Sequence, residues 1–390
     1  MKKIYAYMFI DALGWKIAQT HGFAKDMLPF RSKVEMQFGY SSAAIPTILS
    51  GEQPQKHGHF SFFYYNPEAS PFKKFKYIKY FFGAGLHPRC FFNRGRIRRH
   101  ISKFVAKRMG YTGYFSLYSV PFEKLKYLDY CEKYDIFAKD GLAPVENLRD
   151  VLLKTKLGWH ISDWRRTEAQ NVSCAISDLE SGKTDFAFIY SGDFDGFMHD
   201  NVYDKKVVGE RLKHYEKIVS DVIAALKRSG REFEFTILSD HGMTPTTGKV
   251  DLMKKVSSLK LKYGKDYISL FDSTMLRLWY LNDASREKVR ARLSKDDCRG
   301  RFISDEEKKK YGIFFEDNKF GEDIFLTEEG VQIEPCDLGA KAMNGMHGYA
   351  PEAEDSYAGH YSTSVPRFTP QHVKDFFALM KADILESSDE

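Results

Sequence analysis

The sequence predicts an α/β fold with a mostly parallel central sheet and helices on both faces, plus a basic, aromatic cap insertion and a small α+β insert. Three observations lead to this prediction. Short apolar runs alternate with segments of helical periodicity, as in a parallel sheet covered by helices. Several of the runs end just before Asp or His, where open α/β sheets place their chemistry. A long stretch without any acidic residue interrupts the alternation.

The composition describes a folded chain and gives an expectation about its location. The 390 residues are 15% aromatic, and the five cysteines are odd in number and widely spaced, which favours reduced thiols over a disulfide framework. No apolar stretch approaches the roughly 20 residues that span a bilayer. Cleavage of the N-terminus as a signal peptide would remove Asp11, so we expect a cytoplasmic protein.

The first elements are a strand and a serine-rich turn. Residues 4–10 form an apolar run that ends at Asp11. The turn around Ser41 and Ser42 leads into a short helix that ends before Gly51. A hydroxyl at the start of this helix faces unpaired N–H groups, which favours an attacking alkoxide or a bound phosphate. Both serines qualify, Ser42 alternatively as the helix N-cap.

Residues 51–59 form a loop by composition, in which His57 lines the pocket or is simply solvated. The acid-free stretch follows, over residues 69–121. It contains twelve basic residues: Lys73, Lys74, Lys76, Lys79, Arg89, Arg94, Arg96, Arg98, Arg99, Lys103, Lys107 and Arg108. Interleaved aromatic residues suit an anionic membrane surface, a lipid-linked phosphate or a polyanion. Single-stranded nucleic acid is a second candidate, and a solvated basic face over an aromatic cap core is the alternative without a partner.

The core pattern resumes near residue 144. It predicts a helix at 146–154, a strand at 158–161, a helix at 168–179, a strand at 185–190 and a long amphipathic helix at 205–227. We therefore assign residues 1–60, 144–250 and 341–390 to the core, 61–143 to the cap insertion and 251–340 to the small insert.

The small insert and the C-terminal segment contain the remaining predicted elements. Strands are predicted at 274–281 and 323–326, with a helix at 285–293 between them, and a closing helix is predicted at 370–384. Asp272 and Arg277 are candidate substrate contacts from the insert or form an ordinary salt bridge. His360, on a strand-like segment, is a further candidate substrate contact.

Seven residues at the ends of these elements form the candidate two-metal site. Asp195 and His199 follow the strand at 185–190, and Asp240 and His241 follow an apolar run at 235–238. The full set is Asp11, Ser41, Asp195, His199, Asp240, His241 and His347. Carboxylates mixed with imidazoles suit Zn²⁺, or Mn²⁺, better than Ca²⁺ or Mg²⁺.

The order of these motifs resembles the alkaline phosphatase superfamily, and most closely its type I phosphodiesterase/nucleotide pyrophosphatase branch. The motifs are strand–Asp, the serine turn, Asp-x-x-x-His, Asp-His-Gly-Met and Gly-x-His-Gly-Tyr. The resemblance covers residues 1–60, 144–250 and 341–390 and is weak over 61–143.

The resemblance implies a role for each of the seven residues. One metal is assigned to Asp11, Asp240 and His241, and the second to Asp195, His199 and His347. Two metals about 3.5–4 Å apart suit an in-line phosphoryl displacement. The nucleophile lies ten residues before the glycine of a Ser/Thr-Gly pair, which selects Ser41.

The sequence departs from the nucleotide pyrophosphatases at the nucleophile turn. Their Thr-Phe-Pro-Asn corresponds to Ser41-Ser42-Ala43-Ala44, so the amide that holds a phosphoryl oxygen is absent, which puts nucleotide specificity in doubt. The turn also lacks the proline and arginine of sulfatases. The sequence therefore predicts a metal-dependent phosphodiesterase or pyrophosphatase with a phosphoseryl intermediate. Alternatives are a phosphomonoesterase, a phosphoryl transferase acting on a lipid-linked or glycan substrate, or a non-catalytic metal-binding scaffold.

Overall fold

The computed structural model describes residues 2–77 and 95–389. The chain divides into two units. The first unit comprises Met1–His57, Phe137–Pro245 and Pro351–Glu390, and the second comprises Gly58–Ile136 and Thr246–Ala350. The two sequence interruptions at 58–136 and 246–350 therefore belong to one unit. The functional division into core, cap and insert stays a prediction.

The strands are, in chain order, β1 (Ile4–Ile10), β2 (Phe30–Val34), β3 (Phe63–Tyr65), β4 (Leu128–Tyr130), β5 (Trp159–Ile161), β6 (Phe186–Ser191), β7 (Phe233–Leu238), β8 (Thr244–Pro245), β9 (Gly248–Val250), β10 (Tyr267–Phe271), β11 (Met275–Tyr280), β12 (Gly300–Phe302), β13 (Asp323–Thr327), β14 (Val331–Ile333), β15 (Gly345–Met346) and β16 (Ala358–Ser362).

The α-helices are α1 (Trp15–His21), α2 (Ser41–Ser50), α3 (Pro54–His57), α4 (Gly95–Met109), α5 (Phe122–Leu125), α6 (Leu148–Leu152), α7 (Glu168–Glu180), α8 (Asp193–Asn201), α9 (Lys205–Arg228), α10 (Leu252–Ser257), α11 (Asp283–Leu293), α12 (Asp305–Lys310) and α13 (Asp375–Asp389). Short 3₁₀ turns lie at Lys73–Tyr77 and Asp296–Cys298.

The first unit is built on a six-stranded sheet with the order β2-β16-β7-β1-β6-β5. Strands β7, β1, β6 and β5 pair in parallel, whereas β16 runs antiparallel to both of its neighbours, β2 and β7. The sheet is mixed, and the prediction of a mostly parallel sheet is confirmed. The carboxyl ends of β1, β6 and β7 lie at the same end of the sheet, because these strands run in the same direction.

The central strand β1 is buried on both faces, which explains its continuous apolar sequence. Ile4, Met8 and their alternate neighbours belong to a core that also contains side chains of α7 and α9. On the opposite face, Tyr5 and Tyr7 donate hydrogen bonds to Glu386 and Asp383 of α13. Helices therefore cover both faces of the sheet, as predicted, and the buried tyrosine hydroxyls have partners.

The second unit contains an antiparallel sheet with the order β10-β11-β13-β12. One apolar cluster joins Val105 of α4 and Tyr130 of β4 with Ile268 and Trp279 of this sheet. A second cluster packs α10 and α11 against the other side chains of the sheet. Residues from the predicted cap insertion and from the predicted small insert thus share a hydrophobic core.

Most predicted core elements are present, with their ends moved by a few residues, but three predictions were wrong in detail. The loop predicted at 51–59 contains helix α3. The closing helix begins at Asp375 rather than Pro370, because the Asp375 carboxylate accepts hydrogen bonds from the Gln371 and His372 N–H groups before the helix starts. It also ends at Asp389, beyond the predicted end. In the insert, the strands β10 and β12 were not predicted.

The acid-free stretch is described in part. Lys79, Arg89 and Arg94 lie outside the described residues, whereas α4 holds the remaining arginines and two lysines. The described cysteines, Cys131, Cys174, Cys298 and Cys336, are not joined by disulfides. Among the residues with described positions, no helix is long and apolar enough to cross a bilayer.

Candidate metal centre

The candidate ligands of the first unit lie just beyond the ends of three parallel strands. Asp11 directly follows β1, and Asp240 and His241 come two and three residues after β7 ends. Asp195 lies in the first turn of α8, which begins two residues after β6. The strand register pairs Ile10 with Ser191, so the ends of β1 and β6 lie side by side. The sheet topology therefore brings ligands that are distant in sequence to one edge.

Asp240 is fully buried and is oriented by the backbone. Its Oδ1 accepts hydrogen bonds from the N–H of Ala12, at 3.2 Å, and from the N–H of His241, at 3.0 Å. Its Oδ2 lies 3.2 Å from His241 Nε2 and has no hydrogen-bond partner among the described residues. Oδ1 is therefore held by backbone hydrogen bonds, and Oδ2 faces His241.

Asp11 offers a second buried oxygen at the same point. Its Oδ1 has no hydrogen-bond partner in the described part of the chain and lies 3.6 Å from His241 Nε2. Burial raises the pKa of the Asp11 carboxyl well above its ordinary value, and the nearby Asp240 and Asp195 carboxylates raise it further. Burial also raises the pKa of Asp240, which the neighbouring His241 partly offsets. The raised pKa values show that these neighbouring buried carboxyl groups lack a compensating positive charge.

His241 completes the group, and its tautomer follows from its contacts. Nδ1 lies 2.9 Å from the carbonyl oxygen of Gly242, which can only accept, so Nδ1 carries a proton. In the neutral imidazole, Nε2 then presents a lone pair towards Asp11 and Asp240. Ligand atoms of these three residues lie within 4.8 Å of one another. Converging lone pairs, with a backbone partner behind the imidazole, fit a divalent cation.

Ser41 lies beside the same imidazole. Its Oγ is 3.1 Å from His241 Nε2, and it is the first residue of α2, after the N-cap residue Tyr40. The hydroxyl therefore lies at the positive end of a ten-residue helix. The helix ends where predicted, because Gly51 adopts a left-handed conformation with φ 72° and donates its N–H to the Thr47 carbonyl.

The alternative role of Ser42 as the N-cap of this helix was wrong. Ser42 is the second residue of α2 and not its N-cap; its Oγ is buried and has no hydrogen-bond partner among the described residues. Pro46 lies in the second turn of α2. Since proline has no N–H, the carbonyl of Ser42 loses its helical donor, so the helix tolerates a local defect next to the nucleophile turn.

Asp195 and His199 lie one helical turn apart on α8. His199 Nε2 is 3.3 Å from Asp195 Oδ2, so the two side chains share one face of the helix. His347 belongs to the second unit, where it directly follows β15 and is buried. Their assignment to a second metal rests on the resemblance and stays a prediction.

The structure gives each candidate substrate contact a definite environment. Asp272 and Arg277 form an ion pair that is entirely buried, with Nε 2.8 Å from Oδ2. His57 is buried in α3, with its Nε2 3.0 Å from Thr47 Oγ1, so a solvated loop position was wrong. His360 lies 3.3 Å from Ser32 Oγ and stacks on Phe376, and burial lowers its pKa to about 4. Roles in substrate binding stay predictions.

Two glycines beside the ligands were missed by the sequence reasoning. A Cβ on Gly14 would lie 2.3 Å from Gly242 Cα, and one on Gly242 would lie 2.2 Å from the Asp355 carbonyl oxygen. The turns that carry Asp11 and His241 therefore pack backbone against backbone. The available signal was a glycine shortly after each ligand.

Comparisons with known proteins identify the family of the chain and relatives with the same fold. The family model described as type I phosphodiesterase/nucleotide pyrophosphatase matches residues 40–350. Human ectonucleotide pyrophosphatase/phosphodiesterase 5 aligns with a TM-score of 0.66 and 13% identity, over 98% of this chain and 95% of that one. An inactive murine form of that protein, in complex with AMP, aligns with a TM-score of 0.65 and 13% identity, over 99% and 95%. No curated protein sequence matches the chain at a significant level.

Proposed function

The chain belongs to the type I phosphodiesterase/nucleotide pyrophosphatase family of the alkaline phosphatase superfamily and is a hydrolase acting on phosphoric esters; from this premise we propose that Ser41 is the nucleophile of a site for two divalent metal ions. Asp11, Asp240 and His241 would hold one ion. The second would be held by Asp195, His199 and His347, a set that follows the family pattern.

One observation carries the proposal. Buried Asp11 Oδ1 and Asp240 Oδ2 and the Nε2 lone pair of His241 converge, and Ser41 Oγ lies 3.1 Å from that nitrogen. Buried carboxylates without a cation are costly, because neither water nor an opposite charge compensates them. A divalent cation relieves this cost, and two carboxylates with one imidazole suit Zn²⁺ or Mn²⁺.

The side chains supply the covalent chemistry. When bound, the metal ions would lower the pKa of a coordinated hydroxyl and neutralise charge on the phosphoryl oxygens. Ser41 Oγ loses its proton to solvent water and attacks phosphorus, the bond to the leaving oxygen breaks, and that oxygen takes up a proton from solvent. A phosphoseryl enzyme results. Water then attacks phosphorus and releases the phosphate product, and the Ser41 hydroxyl is restored. The N–H groups at the start of α2 face the developing charge.

The substrate class follows from charge and from the nucleophile turn. Ala44 stands where nucleotide pyrophosphatases carry an asparagine, so the proposal does not extend to a nucleotide substrate. The excess of basic residues over 69–121 supports a lipid-linked or polyanionic phosphate ester as the substrate. Monoester hydrolysis and phosphoryl transfer to a glycan or lipid hydroxyl use the same residues, and the substrate decides between them.

The test combines a serine variant with a substrate panel. We expect Ser41→Ala to abolish hydrolysis of an aryl phosphodiester while the metal content and the melting temperature stay unchanged. Ser42→Ala, at the adjacent buried hydroxyl, is the matched control and should keep most of the activity. An active Ser41→Ala with an inactive Ser42→Ala would place the nucleophile one residue later.

The panel compares aryl monoesters with aryl diesters, then nucleotide sugars with polyprenyl-linked sugars. Removal of metal by a chelator should stop turnover, and Zn²⁺ or Mn²⁺ should restore it. Bound metal without turnover of any ester in the panel would identify a non-catalytic scaffold instead.

A further inference from the structure

Helix α4, Gly95–Met109, presents one continuous cationic stripe to solvent. Its exposed side chains lie at the spacing of one helical face: Arg96, Arg99, His100, Lys103, Phe104, Lys107 and Arg108. Between Arg96 and Arg108, which lies twelve residues later, a helix rises about 18 Å. Five of the seven side chains carry a permanent positive charge.

The opposite face of α4 fixes this orientation. Ser102 and Val105 are buried, and Val105 belongs to an apolar cluster of the second unit with Leu117 and Leu128. Ser102 Oγ also accepts a hydrogen bond from the Leu117 N–H. The helix therefore cannot turn its apolar side outwards without dismantling the core of the unit.

Arg98 is the one arginine of α4 that does not belong to the stripe. It is 2% exposed, donates an N–H to the Val120 carbonyl at 2.8 Å, and lies 3.9 Å from the centre of the Phe122 ring. Burial lowers its pKa to about 10. Arg98 thus stabilises the fold, and neutralising it would test folding rather than binding.

The charges of the stripe are not neutralised within the described chain. Within the described residues, 2–77 and 95–389, no ion pair involves Arg96, Arg99, Lys103, Lys107 or Arg108. No Asp or Glu occurs between residues 69 and 121. By contrast, the exposed basic residues of α12 follow three acidic residues in the same helix. A row of unpaired cations calls for an anionic partner.

Phe104 indicates which anionic partner. It lies in the middle of the stripe and is 70% exposed, so an apolar ring is held in water among cations. We propose that this face of α4 docks on an anionic lipid bilayer, with the basic side chains at the headgroups and the Phe104 ring below them. Because the apolar face of the helix is buried in the protein, the contact stays at the surface of the bilayer.

Nucleic acid is the weaker partner for this surface. Single-strand binding proteins align several aromatic rings along a basic groove, so that successive bases stack. The α4 stripe offers one ring on the outer surface of a helix. The proposal also goes beyond phosphoester hydrolysis, since it concerns binding and can fail while the catalytic assignment stands.

The experiment is co-sedimentation with extruded vesicles. The probes are phosphatidylcholine vesicles containing phosphatidylglycerol and vesicles of phosphatidylcholine alone. We expect binding to the anionic vesicles only, lost as added salt shortens the Debye length below about 8–10 Å. The combined variant Arg99→Gln, Lys103→Gln and Lys107→Gln should lower the partition coefficient about a hundredfold, at about fivefold for each charge.

Two further variants serve as controls. One separates the contribution of the Phe104 ring from that of the basic side chains, and the other separates the position of the charges on α4 from the net charge of the protein. Phe104→Ser should lower partitioning about tenfold and leave the salt dependence unchanged. The control Lys206→Gln, Lys213→Gln and Lys227→Gln removes the same charge from exposed positions of α9, a helix that also carries acidic residues. It should change partitioning less than about threefold, because its charges are not in the docking face. All variants should keep the melting temperature of the wild type, which shows that they are folded.

Three results would overturn the proposal. The first is equal binding of the wild type to both kinds of vesicle, and the second is unchanged partitioning of the α4 triple variant. The third is tight, salt-sensitive binding of a fluorescent single-stranded oligonucleotide, lost in the triple variant, without vesicle binding. That result would assign the stripe to nucleic acid.

Discussion

Two groups of buried carboxylates, one in each unit of the protein, differ in how their charge is compensated. In the second unit, Asp272 is paired with Arg277, whose guanidinium also donates to the Phe63 carbonyl and to Ser61 Oγ. In the first unit, Asp11 and Asp240 share a pocket with His241, and no described Lys or Arg forms an ion pair with either carboxylate. The chain itself compensates the charge of Asp272, whereas it leaves Asp11 and Asp240 without a cationic partner among the described residues, which is the basis of the metal site that we propose.

The largest expected effect is on activity, at Asp240. Asp240→Asn keeps an oxygen for the Ala12 and His241 N–H groups but removes the charge that we assign to a metal. We expect activity to fall more than about a hundredfold, beyond the loss that an outer partner of a metal site causes. The free energy of unfolding of the metal-free protein should rise, because two buried carboxylates no longer repel each other.

For Asp240→Asn, metal analysis measures the metal content, an aryl-ester assay the activity, and urea unfolding the stability of the metal-free protein. Full metal content with normal activity would show that Asp240 is no ligand. A less stable metal-free variant would show that the carboxylate contributes to folding, as Asp272 does.

The next effect is on stability, at the internally neutralised pair. Arg277→Leu leaves Asp272 buried without its partner, and we expect a loss of about 3–5 kcal/mol in the free energy of unfolding. The double variant Arg277→Leu, Asp272→Leu should lose only about 1–2 kcal/mol in the free energy of unfolding. This loss arises because the buried Phe63 carbonyl no longer receives a hydrogen bond from Arg277. Urea unfolding of both variants provides the comparison, and equal losses would mean that the pair is not coupled.

His360 shows a third solution, in which a buried group is simply kept neutral. Burial lowers its pKa to about 4 from 6.5, so the unfolded chain binds a proton more readily than the folded one. Its contribution to stability is present above pH 6.5 and is lost as the pH falls from 6.5 towards 4, by up to about 3 kcal/mol. His360→Phe keeps a ring against Phe376 and should reduce this acid sensitivity.

Thermal unfolding of wild type and His360→Phe across that pH range measures the difference. Parallel stability curves for the two proteins would mean that another group accounts for the acid sensitivity.

The smallest effect is expected at Ser42. Its buried Oγ has no hydrogen-bond partner among the described residues, so Ser42→Ala should change the free energy of unfolding by less than about 1 kcal/mol. Activity should stay within a few-fold of wild type. A larger loss of activity, measured at saturating aryl ester, would give this hydroxyl a part in positioning the phosphate.

Much of the first unit could be predicted, because its signals are local in sequence. The apolar run before Asp11 and the strand before Asp195 are buried on both faces, so their composition identifies them without any knowledge of the neighbours. The glycine that ends α2 and the periodicity of α9 are equally local. The burial of Arg98 was not predictable, since its charge is matched by a carbonyl and a ring more than twenty residues away.

The sequence by itself determined the fold class, the positions of the ligand-bearing strand ends and the family, since each depends on residue types at short spacing. Only the tertiary structure decided that Asp272 and Arg277 neutralise each other, that His57 and His360 are buried, and that Gly14 and Gly242 pack together. It also decided which oxygens of Asp11 and Asp240 face His241. The reason is physical: charge compensation and burial depend on distances between side chains in the folded protein, and neither composition nor spacing along the chain contains those distances.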